Sequence, residues 1–149
     1  MNCTGANHNI SDKKVANQVS LIVNNAAGLI NNAAIEYSSF NGGVSIDVDS
    51  GNSGTLFPNG TPQRPVNNIA DAYAIALYRG FLTFYVKSDL HITASVPVLD
   101  GFEFVGDGMD RTTIELDSDA TVNDCGYENA TVTGTLDGNS RLNNCLIED

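Results

Sequence analysis

The segment Thr121-Val122-Asn123-Asp124-Cys125 returns twenty positions later as Arg141-Leu142-Asn143-Asn144-Cys145. Each copy places an apolar residue, then Asn, then Asp or Asn, then Cys. A period of this size is what a chain produces when each turn lies on the one before it. Upstream, Phe84, Phe104, Val122 and Leu142 are separated by 20, 18 and 20 residues. A second series, Ile92, Ile114 and Val132, runs beside it at 22 and 18. Two such columns predict at least two stacked β-ladders with Phe84, Phe104, Ile114, Val122, Val132 and Leu142 in the core. The competing reading is chance similarity among short β-rich segments.

Composition agrees with short strands and many turns. The chain of 149 residues is 42% hydrophobic, has no Trp, and is rich in Asn, Asp, Gly, Ser and Thr in its second half. Such residues populate tight turns between short strands. Seven basic against eighteen acidic residues leave a formal charge of −11. Phosphate recognition needs clustered Lys and Arg, so neither nucleic acid nor an anionic membrane surface is an expected partner. No run approaches the ~18 apolar residues of a membrane span. Met1-Asn2-Cys3-Thr4-Gly5 lacks the basic and apolar regions of a secretory signal, which predicts assembly in a cytoplasm. Three cysteines argue against a disulfide framework. Cys125 and Cys145 are expected to stack on adjacent turns as free thiols, because their side chains would point in parallel.

Three segments follow along the chain, 1–43, 44–80 and 81–149. In the first, Val15, Val19, Ile22, Ala26, Leu29 and Ala33 recur at spacings of 4, 3, 4, 3 and 4. That is a heptad seam, and it predicts a coiled-coil-like helix over about residues 11–38. Leu21, Val23, Ile30 and Ile35 widen the apolar stripe, for which burial among three or more copies is the natural solution. The alternative is an amphipathic helix lying on its own domain. Asn41-Gly42-Gly43 ends this segment. In the second, Val44–Val48 alternates as a strand, a Gly- and Pro-rich stretch follows, and a helix is predicted over about Asn68–Arg79. Asn68 is its N-cap and Gly80 its stop. In the third, Leu82, Phe84 and Val86, then Leu90, Ile92 and Ala94, alternate with more polar neighbours as strands.

Here the residues resemble a family. The run Val48-Asp49-Ser50-Gly51-Asn52-Ser53-Gly54-Thr55, then Asn59 through Ala72, then Arg79-Gly80-Phe81, resembles the lead-in to right-handed parallel β-helices of the pectin-lyase-like type. Phe104-Val105-Gly106-Asp107-Gly108 with Thr112-Thr113-Ile114 is similar to the first-coil pattern of that fold, and Asn123 and Asn143 resemble its asparagine ladders. With a leading oligomerisation helix, the arrangement is similar to trimeric fibre and tailspike proteins of tailed bacteriophages. The resemblance implies a mainly β, single-stranded right-handed parallel β-helix of about three coils, preceded by an N-terminal helix and a capping helix. It further implies a homotrimer in the virion, held to capsid, collar or tail proteins by the N-terminal segment.

A catalytic constellation is not legible. Asp107, Asp110, Glu115, Asp117 and Asp119, with Arg111 nearby, are the carboxylates and base such enzymes would use. Glycoside cleavage needs two carboxyls about 5–9.5 Å apart in a groove that grips several sugars, and three coils are short for that. His8 falls in a segment without pattern, and His91 should face outward. No Cys/His spacing suits zinc, and no phosphate-binding loop or dinucleotide fingerprint occurs, so no cofactor or metal is expected. The final strand-like residues, Asn143 to Asp149, lack a cap, which predicts a longer polypeptide whose remainder would meet a host-surface glycan. Two other readings stay open: a polysaccharide-degrading tailspike with its active coils further on, and a bacterial surface adhesin.

Overall fold

A computed structural model describes residues 33–148. The chain divides into two units, 1–36 and 37–149. Residues 33–39 are helical, and every strand among the described residues lies in the second unit. The fold is mainly β with parallel sheets. Its strands are β1 (Val44–Ile46), β2 (Thr83–Val86), β3 (Leu90–Ile92), β4 (Leu99–Asp100), β5 (Glu103–Gly106) and β6 (Thr113–Leu116). The rest are β7 (Val122–Asn123), β8 (Gly126–Glu128), β9 (Thr131–Gly134), β10 (Arg141–Asn143) and β11 (Leu146–Glu148). One helix, α1 (Ile69–Arg79), precedes β2.

Three sheets result, ordered β1-β2-β5-β8-β10, β3-β6-β9-β11 and β4-β7. Every pairing between these strands is parallel. From β2 onward the chain thus visits the sheets in a fixed order: β2-β3-β4 and β5-β6-β7 add one strand to each of the three, whereas β8-β9 and β10-β11 add strands to the first two alone. Alternation explains the burial, because successive side chains on a strand point to opposite faces. Inward positions line up in columns. Val44, Phe84, Phe104 and Tyr127 are neighbours in the first sheet, and all four are buried. Phe104 lies 5.4 Å from Phe84 and stacks on Tyr127 at 5.4 Å. Leu90, Ile114 and Val132 form the second column, and Leu99 and Val122 the third. Each fully buried large apolar side chain contributes roughly 1.5–3 kcal/mol.

Helix α1 packs against β1, whose outer edge is taken up by the 60–66 segment: the Ser45 amide donates to Gly60 O at 2.7 Å and the Val66 amide to Ser45 O at 3.0 Å. Ile69, Ala72, Ile75 and Ala76 form the buried face of the helix. Asn68 accepts from the Asp71 amide at 2.8 Å, satisfying a donor that the first turn leaves open. Gly80 follows in the left-handed region at φ 76° and donates to Ala76 O, which ends the helix. The segment before α1 is tied to it by Asp71, whose carboxylate also accepts from the Gly54 amide at 2.7 Å. Phe40 is fully buried in the same core, between the rings of Phe57 and Phe81.

The pairing register corrects the twenty-residue reading. Phe104 is followed in its column by Tyr127 and then Leu142, whereas Val122 belongs to the third sheet beside Leu99. In the second column Leu90, not Ile92, lies next to Ile114, and Ile92 pairs with Leu116. The two copies of the self-match therefore do not stack. They are the same corner built at two different places: Asp124 and Asn144 both take left-handed φ angles, 48° and 50°, so each turns the chain between two sheets. The residue that stacks with Asn144 is Asn129, at φ 53°, and Asn144 Nδ2 donates to Asn129 Oδ1 at 2.6 Å. The asparagine ladder is thus 129–144 rather than 123–143. Cys145 lies over Ala130, next to which the Leu146 amide donates to Ala130 O, and not over Cys125. Leu142 continues the inward column but is 41% exposed rather than buried, since among the described residues its strand is the last of the sheet.

Candidate functional site

The interior is filled with apolar side chains, so chemistry falls to the outer faces of the sheets. On the second sheet His91 and Glu115 are direct neighbours in register. Asp117 comes two residues after Glu115, and its amide donates to Ile92 O at 3.0 Å. Alternation therefore returns the Asp117 side chain to the face that carries Glu115. His91 Nε2 lies 2.7 Å from Asp117 Oδ1 and 4.0 Å from Glu115 Oε1. The hydrogen bond to Asp117 raises the imidazole pKa above its ordinary 6.5, aided by the charges of Asp117 and Glu115 against a smaller opposing desolvation. All three side chains reach solvent.

The first sheet carries a different polar group. Arg141 reaches back across β8, donating to Glu103 Oε1 on β5 at 2.6 Å and to Asp124 Oδ1 at 2.7 Å. Its neighbour Asp137 accepts from Ser140 Oγ at 2.5 Å and from the Asp124 amide at 2.8 Å, and these bonds hold its carboxyl below the usual range. Exposed pairs of this kind stabilise by only about 0–1 kcal/mol. A hollow of about 240 Å³ lies between Asn41, Pro62, Tyr85, Lys87 and Asp107. Its walls already use two of these groups, Tyr85 Oη donating to Asn41 O at 3.0 Å and Lys87 Nζ to Pro62 O at 2.8 Å.

Of the carboxylates read from sequence, Glu115 and Asp117 come together at His91. Asp107 and Asp110 lie in the 107–112 connection, which is organised by buried Thr112. Its hydroxyl accepts from the Asp107 amide at 3.0 Å and donates to Val86 O at 3.2 Å. That accounts for the threonine ahead of Ile114. Val15, Val19, Ile22, Ala26 and Leu29 lie outside the described residues, and Ala33 is exposed on the helical stretch 33–39. Cys125 and Cys145 are free thiols, and burial pushes Cys125 up to about 11. The His91 cluster escaped sequence reasoning because its members are 24 and 26 residues apart. Only strand register could have found it.

No helix among the described residues is long and apolar enough to cross a membrane. No protein-family model, no curated protein and no solved structure matches this chain.

Proposed function

We propose that the strands from β2 onward are successive coils of a right-handed parallel β-helix. On this reading the chain is the anchoring part of a trimeric fibre or spike on the virion of a tailed bacteriophage. The observation that carries this reading is the fixed order in which successive passes add parallel strands to the first two sheets, the earlier passes adding to a third as well. Right-handed crossover is the near-universal solution for parallel strands in one sheet. An acidic, polar exterior around an apolar column suits a rod that is displayed in solvent. The seam Val15–Ala33 joins three copies, and the N-terminal segment seats them on capsid, collar or tail proteins.

Gold-labelled antibody against residues 1–40, applied to purified particles before and after partial disassembly, tests the role. Label at one fixed place on the particle is the expected result. Label confined to host-cell material would end the fibre reading. Light scattering tests the assembly, with a trimer mass for the native chain and a monomer mass for the Ile22→Asp/Leu29→Asp double variant. Three clustered carboxylates at each level of a seam cannot be desolvated cheaply.

A further inference from the structure

Among the outward-facing groups, the two carboxylates beside His91 stand apart. Glu103 and Asp124 share the guanidinium of Arg141, whereas Glu115 and Asp117 face His91, a partner that is cationic only when protonated. The strand register continues the column from Glu115 to Thr133 and then Glu148, so neither of the next two passes brings a Lys or Arg over them. His91 Nε2 and the nearest oxygens of Glu115 and Asp117 all lie within 4.8 Å of one another. We propose that His91, Glu115 and Asp117 bind a divalent first-row transition cation, with Zn²⁺ as the representative ion.

The donor set argues for that class. One imidazole and two carboxylates suit borderline cations, whereas Ca²⁺ takes six to eight oxygens and Mg²⁺ keeps its water. Three protein ligands leave one tetrahedral position for water. With metal–ligand bonds of ~2.0–2.1 Å, tetrahedral ligand atoms sit about 3.3 Å apart. The separations here, 2.7 and 4.0 Å, fall on either side of that value. Small side-chain rotations would therefore bring the three atoms onto one ion. The backbones beneath them are already joined, β3 to β6 by the parallel ladder and Asp117 to Ile92 by a hydrogen bond. His91 Nε2 and Asp117 Oδ1 lie in hydrogen-bond contact at 2.7 Å; a cation bound between them replaces that contact and pins two successive passes together. The site depends on strand register alone and stands whether or not the chain belongs to a virion.

Calorimetric titration of the full chain with ZnCl₂ at neutral pH tests it, with CaCl₂ as the contrast. The expected result is one Zn²⁺ per chain, bound at least about tenfold more tightly than Ca²⁺. His91→Ala and Asp117→Asn should each weaken it by about tenfold or more, with unchanged far-ultraviolet circular dichroism. X-ray absorption at the zinc edge should find nitrogen and oxygen ligands only. Absence of saturable binding overturns the proposal. So does binding that survives His91→Ala, or sulfur in the zinc shell, which would assign the ion to the cysteines.

Discussion

The passes that run from β2 to β7 and those that run from β8 to β11 solve one packing problem with different corners. In the first column Phe84 and Phe104 are 20 residues apart and Phe104 and Tyr127 are 23, but Tyr127 and Leu142 are only 15. The early passes turn between the first two sheets through longer connections, such as the one held by Thr112, and continue into a third sheet. The late passes turn on one left-handed asparagine, Asn129 or Asn144. Between β9 and β10 a turn closed by Asp137 and Ser140 stands where the earlier passes place a strand. The cross-section is therefore set by the chemistry of each corner rather than by a constant repeat. Burial follows the same division, since the early columns are covered on both sides and the last strands on one.

The sharpest way to break this comparison is at its centre and edge. Phe104, packed between Phe84 and Tyr127, should lose about 3–5 kcal/mol on replacement by Ala. Leu142→Ala, in the same column but on the open edge, should lose only about 1 kcal/mol. Urea denaturation of the two variants checks the ratio. Equal losses would mean that the last pass is as well covered as the middle.

Glycines give the next largest contrast. Gly134 ends β9 at φ 93°, and a Cβ there would run into the carbonyl of Leu116 on the neighbouring strand. Gly134→Ala should cost about 2 kcal/mol or more, from the left-handed backbone together with that contact. Gly138, in the following turn, has open space around a built Cβ, so Gly138→Ala should change stability by less than about 0.5 kcal/mol. Thermal unfolding of the pair reads the difference.

Asparagine corners come third. Asn129→Ala removes both a residue tolerant of positive φ and the acceptor for Asn144, and should cost about 1–2 kcal/mol. The same reasoning marks what could be read from sequence. The alternating strands and both caps of α1 were legible, because local periodicity and the Asn68 and Gly80 signals act within a few residues. The apparent twenty-residue period was misleading for a physical reason. An Asn or Asp in the left-handed region followed by a small buried residue suits any corner, so a self-match finds corners and not register. Whatever depends on register, including the meeting of His91 with Glu115 and Asp117, stayed hidden until the unequal passes were known.

Tyr127 supplies a smaller test of how well the middle passes are packed. Its ring is buried, yet its hydroxyl has no hydrogen-bond partner among the described residues, and burial raises its pKa. Removing an unpaired buried hydroxyl while keeping the ring is nearly neutral or stabilising. Tyr127→Phe should therefore leave stability unchanged or raise it by up to about 1 kcal/mol. A clear loss in the urea midpoint would reveal a partner for that hydroxyl and a wetter core than the early columns imply.

The smallest expected effect concerns the outer face, where early and late passes also differ. His91 lies on the first pass between carboxylates of the second, Asp117 and Glu115, while the corresponding later positions carry Thr133 and Glu148. The hydrogen bond to Asp117, reinforced by both charges, raises the imidazole pKa in the folded chain. A raised histidine stabilises the fold fully below its unfolded value of about 6.5, and that contribution fades as the pH climbs through the folded value. Proton NMR of the imidazole should place its midpoint above 6.5, and Asp117→Asn should move it down by removing the largest cause. Glu115→Gln should move it less, since that carboxylate acts only by charge from 4.0 Å. A midpoint that ignores Asp117→Asn would mean that His91 and Asp117 do not meet in solution. The register joining the first two passes would then need revision at β3 and β6.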